Sequence, residues 1–432
     1  MRFVIQTFGC KVNQYESIGI SNAMTAAGFT ETEDISSADI VIINSCTVTE
    51  NSSKKACHAV RAAKAANPES AVVLAGCFPQ AFPDKAKESG ADIIAGTAGR
   101  NDLPRLITDF FAGSSASSLP ELPRSYEELD FCRTTGKTRA FIKIEDGCDR
   151  FCSYCIIPYA RGRVRSRSLE SIREETAACV RDGHKEIVLV GINLSCYGKD
   201  TGKSLADAVE AAASFPEILR VRLSSLEPEL LDEEMCRRLA SCKKLCPHFH
   251  LSLQSGCDET LKRMNRHYTS EEYYEIVSRL RRYFPDCAVT TDIMVGFAGE
   301  TEEEFQQSLA FAEKIGFAKI HVFTYSVREG TAAAKRTDHI PESVKADRYK
   351  RMSELDRRLS GEFLRKQVGK TAEIIVQKRT SPDFAAGLTP NYTMIHVPGS
   401  NAQKQDVIKV RITAACEGFC IGEEAGEAGK DL

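Results

Sequence analysis

Three cysteines stand close together in the middle of the sequence, in the stretch Cys148-Asp-Arg-Phe-Cys152-Ser-Tyr-Cys155. Three thiolates at this spacing can bind three corners of a four-iron, four-sulfur cluster and leave the fourth iron without a protein ligand. An open metal position can bind a substrate or cofactor, as in catalytic zinc sites. A structural zinc site is the alternative, but it would need a fourth Cys or His, and none occurs within the next twenty residues. The motif therefore indicates an iron–sulfur centre with one reactive iron.

Three further cysteines, Cys10, Cys46 and Cys77, each follow an apolar, β-rich run in the first hundred residues. Helix-like segments separate these runs, which predicts an open parallel α/β sheet. Such sheets bind ligands beyond the carboxyl ends of their strands, where the three thiols would meet. Cysteine is also a common buried small residue, so one such position alone would indicate packing. Three in one register favour a second metal site. The runs are Phe3–Thr7, Ile40–Asn44, Val72–Ala75 and Ile93–Ala95.

A second series of strand-like runs follows, spaced about 30 to 45 residues apart and alternating with amphipathic helical stretches, as βα units require. Six such units predict a barrel or partial barrel, a (β/α)6 arrangement with its chemistry in the loops at the carboxyl ends of the strands. The CxxxCxxC motif lies in the first of those loops. The runs are Ala140–Ile144, Ile187–Ile192, Val221–Ser225, Phe249–Leu253, Val289–Val295 and Ile320–Tyr325.

The remaining patterns divide the chain into an N-terminal domain of residues 1–112, a linker of residues 113–138, a barrel domain of residues 139–366 and a C-terminal domain of residues 367–432. The linker contains SSASS and two Leu-Pro steps. A basic amphipathic helix precedes residue 367, and both a solvated face and an RNA-facing one fit its charges. Short strand-like runs after Gly369 predict a small β-barrel or sandwich, the size of a nucleic-acid-binding appendage.

Composition excludes several classes of protein. The 432 residues carry 42% hydrophobic and 27% charged side chains, which is typical of folded globular domains. The sequence has no uninterrupted apolar run of about 18 residues and no signal-peptide core, so we expect a cytoplasmic protein without a membrane partner. A net charge of −3 means that nucleic acid would have to bind to local basic patches. In a reducing compartment, the 17 cysteines favour metal binding over disulfides.

The CxxxCxxC motif on the first strand–helix loop of a six-unit βα domain resembles the radical S-adenosylmethionine superfamily. The resemblance implies that the open iron binds S-adenosylmethionine, which is cleaved to a 5′-deoxyadenosyl radical. Tyr154 resembles the aromatic residue that packs near the adenine of that cofactor. Glu227, Gln254 and Asp292 lie at or near predicted strand ends and could contact the cofactor or be structural.

Several further stretches narrow the resemblance to the methylthiotransferases, whose C-terminal barrel is a TRAM domain. The resemblance implies that Cys10, Cys46 and Cys77 hold an auxiliary [4Fe-4S] cluster, in addition to the one bound by Cys148, Cys152 and Cys155. It implies no catalytic residue beyond the two clusters. The stretches are GCKVNQYES (9–17), NSCTVT (44–49), GC (76–77), IPYARG (157–162), HLSLQSG (250–256) and DIMVGF (292–297).

Within that family, the stretch GCKVNQYES (9–17), which contains Cys10, most resembles that of the MtaB-type branch. Enzymes of this branch convert N6-threonylcarbamoyladenosine at tRNA position 37 to its 2-methylthio derivative. The sibling branches act on N6-isopentenyladenosine in tRNA or on an aspartate of a ribosomal protein. A metal-stabilised RNA-binding protein is the non-enzymatic alternative. The implied partners are tRNA and a one-electron reductant such as flavodoxin or ferredoxin. Arg161, Arg163, Arg165 and Arg167 follow the cluster loop, and we predict that they contact RNA phosphates or the cofactor.

Overall fold

A computed structural model describes residues 1–114, 117–129, 137–381 and 384–425 of the chain. The remaining positions fall in the predicted linker, in one turn of the predicted C-terminal domain and at the end of the chain. Among the described residues, no helix is both long enough and apolar enough to span a membrane.

The N-terminal domain is a five-stranded, fully parallel sheet in the order β2-β1-β3-β4-β5. Its core lies on both faces, as the uninterrupted apolar runs of β3 and β4 require. The predicted sheet is thus confirmed, with one short edge strand added. The strands are β1 (Arg2–Thr7), β2 (Thr30–Glu31), β3 (Ile40–Ser45), β4 (Ala71–Gly76) and β5 (Ile93–Ala95). The helices are α1 (Lys11–Ala26), α2 (Glu50–Ala66), α3 (Cys77–Ala81), α4 (Pro83–Lys87) and α5 (Leu103–Phe111).

The described part of the predicted linker, residues 117–129, packs against both of its neighbours. Ser118 exchanges backbone hydrogen bonds with Ile94 and Gly96, so it continues the edge of the sheet beside β5. The Tyr126 hydroxyl donates to the carbonyl of Lys143 in the next domain at 2.7 Å. The segment therefore ties the two domains together.

The central domain is a partial barrel of six parallel strand positions, as predicted. Three strands pair in the order β6-β9-β10 and four in the order β11-β12-β13-β14. Strands β10 and β11 are successive halves of one strand position. The strands are β6 (Arg139–Lys143), β7 (Glu145–Asp146), β8 (Arg165–Ser166), β9 (Glu186–Val190), β10 (Arg220–Leu223), β11 (Ser225–Leu226), β12 (His248–Leu251), β13 (Ala288–Val295) and β14 (Lys319–Thr324).

Helices cover the outer face of these strands and share one apolar core with them. Thr301 and Glu304 form a capping box at the start of α12. The helices are α6 (Ile157–Arg161), α7 (Leu169–Arg181), α8 (Leu205–Ala213), α9 (Glu233–Ser241), α10 (Asp258–Arg263), α11 (Ser270–Tyr283), α12 (Glu302–Ile315) and α13 (Glu342–Arg365). Short 3-10 turns occur at Ile35–Ser37, Arg100–Asp102, Leu194–Cys196, Pro228–Leu230 and Ala333–Lys335.

Helix α13 is the predicted basic helix, and its apolar stripe enters the barrel core through Met352, Leu355 and Leu359. Two of its cations also point inward. Arg348 is buried and pairs with Glu300 at 2.8 Å, and Lys345 is buried beneath Tyr325. Arg348 and Lys345 therefore stabilise the interior of the domain, although the sequence predicts the cations of this helix on its outer face.

The C-terminal domain is a closed five-stranded barrel in the order β15-β16-β17-β19-β18. The small β-barrel is confirmed. The strand-like runs predicted from the sequence, Ala372–Gln377, Thr393–Val397 and Val407–Thr413, correspond to β15, β17 and β18, whereas β16 and β19 were not predicted. Its core is formed by Ile374, Ile395, Val397, Val410 and Ile412. The strands are β15 (Thr371–Ser381), β16 (Phe384–Leu388), β17 (Met394–Pro398), β18 (Val407–Ala415) and β19 (Cys420–Glu424).

Candidate iron–sulfur and cofactor site

The cysteine loop of the barrel follows β7 and begins at a tight turn. Gly147 has a φ of +87°, and a Cβ at this position would lie 2.0 Å from the carbonyl oxygen of Arg163, so only glycine fits there. Phe151 also adopts a positive φ, of 48°, and its carbonyl accepts a hydrogen bond from the side chain of Asn265 at 3.0 Å. The loop is thus held in one shape by backbone geometry and by groups outside it.

The thiols of Cys148, Cys152 and Cys155 are close enough to interact electrostatically with one another. Burial raises the pKa of the Cys155 thiol to about 12, and it raises the pKa of Cys148 as well. Donors nevertheless point at the sulfurs: Arg266 Nη1 lies 3.3 Å from Cys152 Sγ, and Asn193 Nδ2 lies 3.7 Å from Cys148 Sγ. Buried thiols beside such donors suit metal-bound thiolates, whose charge the metal compensates.

The second set of thiols lies where the parallel strands of the N-terminal sheet end. Cys46 directly follows β3, Cys77 directly follows β4, and Cys10 precedes α1. Their thiols also lie within electrostatic range of one another. A Cβ added to Gly9 would lie 2.6 Å from Cys46 Cβ, so the glycine permits the close approach of two of these loops. The structure therefore brings the three predicted residues together.

Among the described residues, no three His, Cys, Asp or Glu side chains converge closely enough to ligate a single metal ion. A [4Fe-4S] cluster binds each thiolate to a different iron, so its cysteines need not meet at one point. Each triad supplies three thiols, which is the number of protein ligands of a cluster with one open iron.

A buried charge network lies between the N-terminal thiols and the strand that precedes the barrel cysteine loop. Glu16 Oε1 accepts hydrogen bonds from Arg161 at 2.7 Å and from Lys143 at 3.0 Å, and it forms an ion pair with Arg100 Nη2 at 2.9 Å. Burial alone would raise the pKa of Glu16, but these cations outweigh it and lower the pKa to about 2. Asp146 accepts from Lys143 at 2.8 Å and from Arg161 at 3.0 Å.

Arg161 also reaches the N-terminal thiols, with its Nε 3.2 Å from Cys77 Sγ. Arg165 lies 3.6 Å from Asp146, and Glu127 pairs with Arg100 at 2.9 Å. The network therefore holds four cations against three carboxylates. This surplus of positive charge beside Cys77 fits a thiolate-bound cluster, which is anionic.

The structure corrects the predicted RNA-contacting arginines. Arg161, Arg165 and Arg167 are all buried, and Arg167 pairs with Glu175 and Glu128 inside the molecule. Their positive charge is matched by carboxylates rather than presented to a phosphate backbone. Arg163 is the one member of the set that is exposed, at 72% of its side chain. The alternating arginines that suggested a basic surface patch lie in a segment packed between the N-terminal domain and the barrel domain.

Two of the predicted cofactor-contacting residues lie beside the barrel thiols. The Tyr154 ring packs edge-on against Phe297 at 6.3 Å and lies in electrostatic range of Cys152. Glu227 forms an ion pair with Arg266, which in turn contacts Cys152. Burial raises the pKa of Glu227 despite that arginine. Arg266 was missed by the sequence analysis, because a single arginine in a helix-to-helix turn carries no distinguishing pattern.

The other two, Gln254 and Asp292, are neighbours: Gln254 lies in the loop after β12, and Asp292 lies within β13, with its Oδ2 3.2 Å from His250 Nε2. The backbone N–H of Gln254 donates to the carbonyl of Asp292 at 2.8 Å. Gln254 has a φ of +68°, which is strained for a residue with a side chain, and its buried Oε1 has no partner within the described structure. Such strain and an unpaired oxygen at a strand end are typical of a ligand site.

Comparisons with known proteins agree with this geometry. Residues 142–312 match the radical SAM superfamily, residues 2–96 match a family described as uncharacterised protein family UPF0004, and residues 365–423 match the TRAM domain. The threonylcarbamoyladenosine tRNA methylthiotransferase MtaB of Thermotoga maritima is 36% identical over 408 residues, 94% of each chain. This chain belongs to the radical S-adenosylmethionine methylthiotransferases. The MtaB protein of Chlamydia pneumoniae is 37% identical, over 98% of this chain and 97% of its own.

A relative of a different printed activity matches nearly as well. The tRNA-2-methylthio-N(6)-dimethylallyladenosine synthase of Clostridium botulinum is 34% identical over 98% of this chain and 96% of its own. Among solved structures, the radical S-adenosylmethionine methyltransferase TsrM of Kitasatospora setae has a TM-score of 0.59 at 15% identity, covering 89% of this chain and 80% of its own. That likeness shows the fold alone. Family membership establishes a tRNA-modifying enzyme that uses S-adenosylmethionine and a [4Fe-4S] cluster.

Proposed function

We propose that this methylthiotransferase carries two [4Fe-4S] clusters, one on Cys148, Cys152 and Cys155 and the other on Cys10, Cys46 and Cys77. The observation that supports this is that each thiol set lies in loops that follow strands of its own domain, and that Arg161 contacts both Cys77 and Asp146, which is two residues before Cys148. When bound, the two clusters and S-adenosylmethionine supply the carbon radical, the sulfur and the methyl group of the product.

The chain's own residues bind and orient the cofactor in this proposal. Arg266 and Glu227 form a buried pair beside Cys152, which suits the charged amino and carboxylate ends of a methionine. Tyr154 offers an aromatic face next to the same thiols. Gln254 lies just after β12 and next to Asp292 of β13, and its unpaired Oε1 can accept a hydrogen bond from the cofactor.

We propose N6-threonylcarbamoyladenosine at tRNA position 37 as the substrate and its 2-methylthio derivative as the product. Two MtaB relatives at 36% and 37% identity and the GCKVNQYES segment favour it. The second candidate is the isopentenyl substrate, which the 34% identical synthase favours. The TRAM barrel binds the tRNA, and a flavodoxin or ferredoxin supplies electrons one at a time.

The experiment that separates these substrates is nucleoside mass spectrometry of tRNA from cells with and without the gene. Loss of the methylthiolated threonylcarbamoyl nucleoside alone supports the proposal. Loss of the methylthiolated isopentenyl nucleoside instead assigns the chain to the sibling branch. A strain carrying the Cys148→Ala protein is the matched control, because it keeps the polypeptide and removes one cluster ligand.

A further inference from the structure

The amino ends of the barrel strands hold a cluster of cations that the proposed chemistry has not used. Arg139, Arg220 and Arg222 lie on β6 and β10, and Lys11 approaches them from the N-terminal domain. Glu186 is the buried carboxylate among them, 2.8 Å from Arg222 and 3.9 Å from Arg220. Glu373, which is exposed, lies 4.0 Å from Arg220, so the carboxylates that the described structure brings into contact with this cluster at the floor of the barrel pair with Arg220 and Arg222 only.

Arg220 and Arg222 have their remaining donors satisfied by the TRAM barrel. Arg220 donates to the carbonyl of Leu388 at 2.8 Å, and Arg222 donates to that of Pro390 at 2.9 Å. These two arginines, with Glu186, form a closed structural unit between the domains. They are thus not available to an incoming ligand.

Lys11 and Arg139 are in a different position. Lys11 is half-buried next to Cys10 and lies within electrostatic range of Arg139, Arg222 and Tyr392. Within the described parts of the chain, Lys11 Nζ has neither an ion pair nor a hydrogen bond. Arg139 hydrogen-bonds the Tyr392 hydroxyl at 3.4 Å, and no carboxylate in the described structure pairs with it. Two cations without a counter-ion in a partly buried site favour the binding of an anion.

An aromatic wall completes this site. Tyr392 stacks on His248 with ring centroids 4.5 Å apart, and its φ of 69° turns the side chain from the TRAM barrel into the floor of the other domain. A cavity of about 780 Å³ opens beside it, between the edge strands β6 and β14, and is lined in part by Arg139, His248, His321 and Tyr392. This volume is within the range of small-molecule sites and suits a modified nucleoside.

We propose that Lys11 and Arg139 bind the carboxylate of the threonine that hangs from N6 of the substrate adenosine. The inference rests on the proposed function and deepens it. The position of Lys11, one residue after Cys10, places this charge beside the thiols that are proposed to hold the sulfur-donating cluster. The threonine extends from N6 whereas sulfur enters at C2, so its carboxylate must be bound near, but not at, the reacting carbon.

The same two residues discriminate against the isopentenyl substrate. An apolar substituent would desolvate Lys11 and Arg139 without supplying a charge, and a site built for a polar group rejects an analogue that lacks it. The threonine carboxylate instead forms charge-assisted hydrogen bonds with both. They are specificity-determining residues and take no part in the chemistry.

The test uses reconstituted full-length enzyme with Lys11→Gln, Arg139→Gln and Lys11→Arg. The substrates are anticodon stem-loop RNAs that carry N6-threonylcarbamoyladenosine, either as the free acid or as its methyl ester. We expect each Gln variant to raise KM for the acid about tenfold, which corresponds to the loss of one charge-assisted bond. For the neutral ester, wild type and variants should have the same KM. Lys11→Arg should restore the preference for the acid.

Lys55→Gln is the control, because Lys55 is an exposed lysine of α2 and is not part of the cation cluster. The kinetics of this variant should match those of wild type. Arg139→Gln carries the test whatever Lys11→Gln does to cluster assembly. An unchanged KM for the acid, or an equal rise for acid and ester, would overturn the inference. If wild-type enzyme makes no product from either RNA, the proposed substrate itself is wrong.

Discussion

Arg161 Nε lies 3.2 Å from Cys77 Sγ in the N-terminal domain, although Arg161 is the last residue of α6 in the barrel domain. Its two other nitrogens bind Glu16 of the N-terminal domain, and one of them also binds Asp146 of the barrel. One planar guanidinium thus contacts both domains, next to the N-terminal thiols and, at Asp146, two residues from the first cysteine of the barrel loop. It therefore helps to fix the position of one domain relative to the other.

Replacement of Arg161 by alanine should lower the free energy of unfolding by about 3 to 5 kcal/mol, because it leaves buried Glu16 and Asp146 with less compensation. Chemical denaturation measures the change. Arg163→Ala is the matched control, since Arg163 is exposed and its contacts are an ion pair with exposed Asp149 and a cation–π contact with Phe151; its effect should stay below about 1 kcal/mol. Equal effects of the two variants would contradict a structural role for the network.

Anaerobic reconstitution should give about eight iron atoms per chain if each triad holds a [4Fe-4S] cluster. Replacement of Cys148, Cys152 and Cys155 by alanine should halve the iron content and abolish cleavage of S-adenosylmethionine. Replacement of Cys10, Cys46 and Cys77 should also halve the iron content but preserve cleavage and stop sulfur insertion. Iron analysis and product quantification test both variants, and two clusters in either one would refute the ligand assignment.

Glu145 makes stability depend on pH. Burial raises its pKa from 4.5 to about 8, so the folded state holds a proton that the unfolded state releases. The stabilisation is complete below pH 4.5 and is lost as the pH rises toward 8, by at most about 1.4 kcal/mol per pH unit. Unfolding of wild type and Glu145→Gln from pH 5 to 8 measures it. The variant should lack this slope, and identical slopes would show that Glu145 titrates normally.

The outer face of β18 should contribute to tRNA binding. Lys409 and Arg411 are exposed and alternate along this strand, so they point the same way. We expect the double substitution to Gln to weaken tRNA binding and to reduce the salt dependence by one to two phosphate contacts. Binding titrations at several salt concentrations provide the measurement, with Lys55→Gln as control. An unchanged salt dependence of tRNA binding would show that the tRNA-binding surface lies elsewhere.

The ends of the strands in the N-terminal sheet could be predicted from the sequence, because a parallel sheet alternates apolar strands with helices. Apolar runs separated by helices define where Cys10, Cys46 and Cys77 must lie, and the structure gathers these three thiols as that pattern requires. The TRAM strands β16 and β19 were missed because FAAGL and CIGEE lack the alternation that marks a half-buried strand.

Burial of charge was the property that the sequence could not reveal. The four alternating arginines indicated a solvated or RNA-facing surface. Three of them are buried instead, because acidic residues from other parts of the chain, such as Glu16 and Glu175, form ion pairs with them. Arg266 and Lys11 were not singled out for the same reason. Their surroundings come from other domains, and a local pattern carries no information about such long-range neighbours.

The charge network at the junction also restricts how this chain can diverge. Glu16 belongs to one domain and Asp146 and Arg161 to the other, so a change at any of the three leaves a buried charge uncompensated. Accepted substitutions must then arise together, and homologous sequences should show covariation among these positions. Chimaeras that join the first domain of one homologue to the barrel of another should fold only when both parents carry matching charges.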